Sequence, residues 1–141
     1  MTDKYRNFLI YWLPVALYCA VIFIQSAYPS VAQLHDVPFG DKYLHIAGYA
    51  LLGILFFRAF RSLHVGSRLF VVSLLSILAS TAYGISDEIH QYFVPYRTAD
   101  VMDALADMVG SCLGVMTYFL LVEKYDFLPK HAWIDRLRQY L

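Results

Sequence analysis

Polar and apolar residues follow one another along this chain in long blocks, not at the short periods of a soluble fold. Apolar stretches occupy 8–25, 44–60, 69–86 and 104–122, each 17–19 residues long. A helix rises about 1.5 Å per residue, so each stretch comes close to the ~20 residues that cross ~30 Å of hydrocarbon. Charges inside the stretches are few. His45 and Arg58 lie near opposite ends of the second, where long side chains can snorkel; the third holds none, and Asp107 sits one turn inside the fourth. The pattern predicts an all-α polytopic membrane protein, a bundle of four transmembrane helices in one domain over residues 1–141. In the tail at 123–141, Trp133, Ile134, Leu137, Tyr140 and Leu141 alternate with Asp135, Arg136 and Arg138, which predicts a short amphipathic interfacial helix.

Composition supports the class. The chain is 60% hydrophobic and 16% charged, where soluble domains carry about 25% charged residues. Lysine and arginine then set the orientation, because they stay on the cytoplasmic side. Lys4, Arg6, Arg58, Arg61, Arg68, Lys124, Lys130, Arg136 and Arg138 are nine of the eleven basic residues and share one side of a four-span topology, leaving Lys42 and Arg97 on the other. Both termini are therefore expected in the cytoplasm. Seven of the eleven acids, Asp36, Asp41, Asp87, Glu88, Asp100, Asp103 and Asp107, collect at the opposite, extracytoplasmic boundary. Zero net charge without a basic face excludes a nucleic-acid partner. Cys19 and Cys112, in different apolar stretches, read as small core residues rather than a disulfide or metal pair.

The acids fall on defined helix faces. Asp41, Lys42, His45 and Tyr49 lie within about 100° of the second helix. Asp41 can cap that helix, and Lys42 and Tyr43 can anchor in headgroups, but His45 lies a turn deeper, where an imidazole needs a partner. Ser76, Ser80, Tyr83, Asp87 and Gln91 occupy about 80° of the third helix; Ser76 and Ser80 read as interhelical hydrogen-bonding groups. Asp87 and Glu88 lie towards a helix C-terminus, whose dipole is negative, so they need compensation. On the fourth helix Thr98 or Asp100 serves as N-cap with Asp103 near the third position. Asp107 has no such role, and shares a face with Asp103, Gly110 and Gly114. The latter two form a GxxxG that admits a close neighbour helix, so these acids face protein. Arg97, between the acid clusters, can bridge carboxylates or grip a phosphate bidentately, beside the interfacial aromatic run Tyr92-Phe93-Val94-Pro95-Tyr96.

Four elements in this order resemble the VanZ-like family of bacterial membrane proteins: Gln25-Ser26 with Pro29, Asp41-Lys42-x-x-His45-x-x-x-Tyr49, Asp87-Glu88-x-x-Gln91-x-Phe93-x-Pro95-x-Arg97, and Asp103-x-x-x-Asp107-x-x-Gly110-x-x-x-Gly114. The resemblance covers nearly the whole chain. It implies a small helical protein of the bacterial cytoplasmic membrane and, through the founding member, a link to resistance against the glycopeptide teicoplanin. It implies no named reaction. Asp107 departs from the pattern, since relatives often carry Asn there.

Three functional readings stay open. The first is an extracytoplasmic pocket of Asp41, Lys42, His45, Tyr49, Asp87, Glu88, Gln91, Arg97, Asp103 and Asp107 that binds a membrane-lipid headgroup or a lipid-linked envelope precursor. The second makes the cluster catalytic, with His45 or Glu88 as general base and Asp87, Asp103 or Asp107 orienting it or holding a divalent cation such as Mg²⁺, Mn²⁺ or Zn²⁺. The third is a polar lock, or a docking surface for an envelope enzyme. A transporter is disfavoured, because no charge lies midway across the spans. Ser30-Val31-Ala32 resembles the end of a signal peptide, but the first apolar stretch is long for one. N-terminal sequencing of the mature protein is expected to find the first span retained; a start just after Ala32 would show it removed.

Overall fold

Helices form where the apolar stretches lie, and most run past them into polar residues. The computed structural model describes residues 3–28, 40–63, 68–95 and 97–127. The first span comprises α1 (Asp3–Asn7), a π-helical turn (Phe8–Trp12) and α2 (Leu13–Ser26); α3 (Gly40–Ser62), α4 (Leu69–Tyr92) and α5 (Val101–Phe127) follow. Four helices are thus long and apolar enough to cross a membrane, and no strand occurs among the described residues. Helix α3 begins before the apolar stretch at 44–60, α4 ends after that at 69–86, and α5 begins before that at 104–122. Hydropathy marks what lipid accepts, whereas a helix continues until its backbone groups find other partners. Ser30-Val31-Ala32, Pro29 and the interfacial segment after Lys130 lie outside the described residues.

The π turn has a local cause. Pro14 lacks an N–H and its ring crowds the carbonyl four residues back, so the α-helical register cannot pass through it undisturbed. The Leu13 N–H reaches back to the Phe8 carbonyl instead, a π-type bond.

Packing is arranged for lipid. Helices α3, α4 and α5 contact one another most extensively, and α2 leans on α3 and α4. Large apolar side chains such as Leu17, Leu78, Ile89 and Met116 face outward. Among the described residues the buried set has nine polar or charged members against eight hydrophobic ones, the reverse of a soluble core. The apolar interior lies at one end, where Phe57, Val72 and Val115 pack with Phe60, Leu69, Ile77, Tyr118 and Phe119. At the other end converge the C-terminus of α2, the N-terminus of α3, the C-terminus of α4 and the N-terminus of α5, joined by polar contacts. Cys19 is half-buried and Cys112 exposed, so neither is a core residue; Cys112 lies on a side of α5 turned away from the packed Gly110 and Gly114.

Close approach of α5 to α3 makes that convergence possible. A methyl group on Gly110 would collide with the Ile46 backbone, and one on Gly114 with the Ala50 backbone, both inside any real contact distance. Only glycine lets the helices meet this way. Gly114→Ala is therefore expected to lower stability by about 1–3 kcal/mol in detergent unfolding, the range for overpacking. Gly48→Ala, whose methyl would meet Tyr18 Oη at 3.7 Å, is the control and is expected to shift stability by no more than about 0.5 kcal/mol. Equal effects of the two would dissociate the glycines from the packing.

Candidate functional site

The polar end is built around one lysine. Lys42 Nζ donates to Asp103 Oδ1 and, at 2.7 Å, to Asp100 Oδ2, and it lies 3.1 Å from Asp41 Oδ2. Its side chain is only 18% exposed, so the long stem brings the charge in from α3 to α5 rather than out to headgroups. Asp100 also caps α5, accepting from the Met102 N–H at 2.9 Å. Its hydrogen bond from Lys42, assisted by that N–H, holds the Asp100 carboxyl below the ordinary range. The cap is thus Asp100 rather than Thr98, and Asp103 occupies the third position of the helix.

One turn further in, His45 Nδ1 lies 2.8 Å from Asp107 Oδ1, while His45 Nε2 is 3.9 Å from Asp103 Oδ2. Asp107 is fully buried, as the face analysis requires. Space for its carboxylate comes from α4: a methyl on Gly84 would come within 2.6 Å of Asp107 Oδ2 and 3.1 Å of Tyr49 Cε1. Tyr49 runs parallel to the His45 ring, with centroids 6.4 Å apart, and is itself buried.

Each of the adjacent acids on α4 has one oxygen engaged by hydrogen-bond donors. Asp87 Oδ2 accepts from Ser26 Oγ at 2.7 Å and Gln91 Nε2 at 2.9 Å. Glu88 Oε2 accepts the Asp100 N–H at 2.9 Å, at the positive end of the α5 dipole. Five buried side-chain oxygens find no partner among the described residues: Tyr49 Oη, Thr81 Oγ1, Asp87 Oδ1, Glu88 Oε1 and Asp107 Oδ2. His45, Glu88 and Asp107 moreover present ligand atoms within 4.8 Å of one another.

Residues 8–122, which include every residue of this cluster, match the family model VanZ/LLP1. The chain belongs to the VanZ/LLP1 family. An uncharacterized protein of the fission yeast Schizosaccharomyces pombe is 29% identical over 120 residues, covering 85% of this chain and 71% of the yeast protein. That match lies outside bacteria, so membership of the family does not carry a bacterial origin with it. No solved structure matches.

The VanZ/LLP1 motif residues divide by where the fold puts them. Asp41, Lys42, His45, Tyr49, Glu88, Asp103 and Asp107 come together, with Asp87 and Gln91 beside them on α4. Arg97 does not bridge the acids. Its Nη2 donates to the Gln25 carbonyl at 3.4 Å, and among the described residues it makes no ion pair; Lys42 does the bridging, because its stem spans α3 to α5. His90 stacks on Phe23, centroids 4.3 Å apart, away from the cluster. Tyr83 leaves the α4 stripe and donates to the Cys19 carbonyl at 2.6 Å. Ser80 receives the Ser111 hydroxyl at 2.8 Å, an interhelical bond, whereas Ser76 bonds back to Val72 within its own helix. Sequence reasoning missed Ser111 and Gly84. Gly84 lies in register with Ser80, Asp87 and Gln91 at helical spacing, which was the available signal.

Lys42→Met is expected to destabilise the protein by about 2–3 kcal/mol in detergent unfolding, below the ~3–5 of a fully buried pair because the lysine keeps some exposure. Adding Asp103→Asn in the same chain is expected to recover at least half of that loss; no recovery would mean that Lys42 acts through its methylene stem.

Proposed function

We propose that this membrane protein holds a divalent cation between His45, Glu88 and Asp107 at its extracytoplasmic end, and through it takes the phosphate of a lipid headgroup or lipid-linked ligand. The observation that carries this reading is the grouping of ligand atoms of His45, Glu88 and Asp107 within 4.8 Å of one another, with a buried, unpartnered oxygen on each of the two carboxylates. Six carboxylates, those of Asp41, Asp87, Glu88, Asp100, Asp103 and Asp107, share this end of the molecule with Lys42, and Lys42 is already engaged by three of them. A buried oxygen without a partner costs about 1–3 kcal/mol, more if charged. A cation removes that cost at several oxygens together.

The donor set suits particular ions. One imidazole nitrogen and two carboxylate oxygens match Zn²⁺ or Mn²⁺. Binding replaces the His45–Asp107 hydrogen bond with ligation by both groups. Three protein ligands leave coordination positions open, which phosphate oxygens can fill. Lys42 and Asp103, in contact with one another, then support His45 from the rim.

A second reading rests on the 2.8 Å contact of His45 with Asp107. A buried carboxylate that orients an imidazole is the arrangement of a general base, and Glu88 stands beside it. Release of a headgroup from a phospholipid by wild type, absent in His45→Ala, would favour catalysis over binding alone.

Full-length protein stripped with EDTA is expected to bind Zn²⁺ or Mn²⁺ stoichiometrically by calorimetry, with Glu88→Gln and Asp107→Asn each weakening affinity by about tenfold or more. In native mass spectrometry added metal is expected to increase phosphatidylglycerol retention in the wild type, and this increment is expected to be lost in Glu88→Gln. No stoichiometric metal binding, or unchanged affinity in folded variants, rejects the reading.

A further inference from the structure

The opposite end of the bundle carries a polar feature that the acidic cluster does not explain. A cavity of about 430 Å³ lies there between the first span, α3 and α5, lined by Asn7, Tyr11, Arg58, Arg61, Ser62 and Tyr118. Its size falls within the roughly 300–1,000 Å³ of small-ligand sites. Two guanidinium groups, two phenols, an amide and a hydroxyl form the lining, and among the described residues no carboxylate joins them.

A bland role exists for part of this set. Basic side chains in the last turn of α3 meet the negative end of its dipole, and arginines near span ends snorkel. That suffices for Arg61, which is exposed on the rim. Arg58 is different: it is half-buried, lies a turn deeper on the same face, and makes no ion pair with any described residue. A guanidinium brought inward among hydrogen-bonding side chains is arranged for an anion.

The walls are held by packing. Tyr11 belongs to the π turn that Pro14 imposes, and such turns recur at functional sites. Trp12, next to it, stands edge-on to Phe60 with centroids 5.5 Å apart. Tyr118 stands edge-on to the buried Phe57, also at 5.5 Å. The cavity therefore has rigid aromatic sides and a basic floor at interfacial depth.

We infer that this cavity binds the phosphate of an anionic phospholipid headgroup, a second ligand site independent of the acidic cluster. Guanidinium forks match pairs of phosphate oxygens, and the phenols can donate to those that remain. Room beyond a bare phosphate accommodates the alcohol that a headgroup carries. The π turn also exposes Phe8, Leu9 and Ile10 outward, so a lipid with its phosphate in the cavity keeps its acyl chains in hydrocarbon.

The test uses full-length protein in detergent with short-chain phosphatidylglycerol, short-chain phosphatidylcholine and inorganic phosphate as probes, in EDTA so that the acidic cluster contributes no metal-dependent binding. Phosphatidylglycerol is expected to bind about tenfold more tightly than phosphatidylcholine, with Arg58→Gln and Arg61→Gln each weakening it about tenfold and Arg58→Lys, which keeps charge but loses the fork, falling between. Melting temperatures identify any variant that fails to fold, and Tyr11→Phe then serves as the milder change, expected to weaken binding measurably. Equal binding of the two lipids, or unchanged binding in folded Arg58→Gln and Arg61→Gln, overturns the inference. Displacement of phosphatidylglycerol by equimolar inorganic phosphate overturns the lipid assignment and gives the cavity to a soluble phosphate.

Discussion

Backbone contact between α3 and α5 at Gly110 and Gly114 governs the geometry of the polar end. Helices are stiff over two turns, so seating Gly110 on Ile46 and Gly114 on Ala50 decides where the next residues towards the α5 N-terminus fall. Asp107 lands against His45 and Asp103 against Lys42. A GxxxG that might have paired two molecules is here consumed within one chain, and its product is a set of facing side chains. Gly84 plays the matching part on α4, leaving a gap that the Asp107 carboxylate and the Tyr49 ring fill.

Burying so many carboxylates at the end of a bundle is tolerable only because several kinds of compensation are combined. Lys42 supplies charge to Asp41, Asp100 and Asp103. Ser26 and Gln91 supply neutral donors to Asp87. The N-terminus of α5 supplies a backbone N–H, and its dipole, to Glu88. What these leave over includes an unpartnered oxygen on each of Glu88 and Asp107, the two carboxylates grouped with His45. The far end reverses the pattern, with an apolar core and an arginine-lined cavity. The two ends are thus chemically opposite, one acidic and one basic.

Much of the fold was legible because lipid imposes a one-dimensional rule: a span must be apolar for about 20 residues. The face assignments within single helices were legible too, since the 3.6-residue period ties Asp41 to His45 and Asp103 to Asp107. Pairing between helices was not. Period alone says which residues share a face, but not how far a side chain reaches or which neighbour it meets. Arg97 stood between the acid clusters in the sequence, yet Lys42 makes the bridge, because a loop residue follows its loop while α3 carries the lysine straight to α5. Tyr83 was angularly close to Asp87 and still turned to the first span. Ser26 revealed nothing by spacing, being distant in sequence from the carboxylate it serves.

From the sequence alone came the membrane class, the four spans and the small-residue face of α5, all consequences of hydropathy and local periodicity. The tertiary structure decided that Lys42 is the hub, that His45 takes Asp107, that Gly84 makes room for it, and that Arg58 and Arg61 line a cavity with the π turn. Those outcomes depend on how far apart helices stand and how each is rotated about its axis. Such quantities are set by contacts between residues tens of positions apart, to which no local pattern has access.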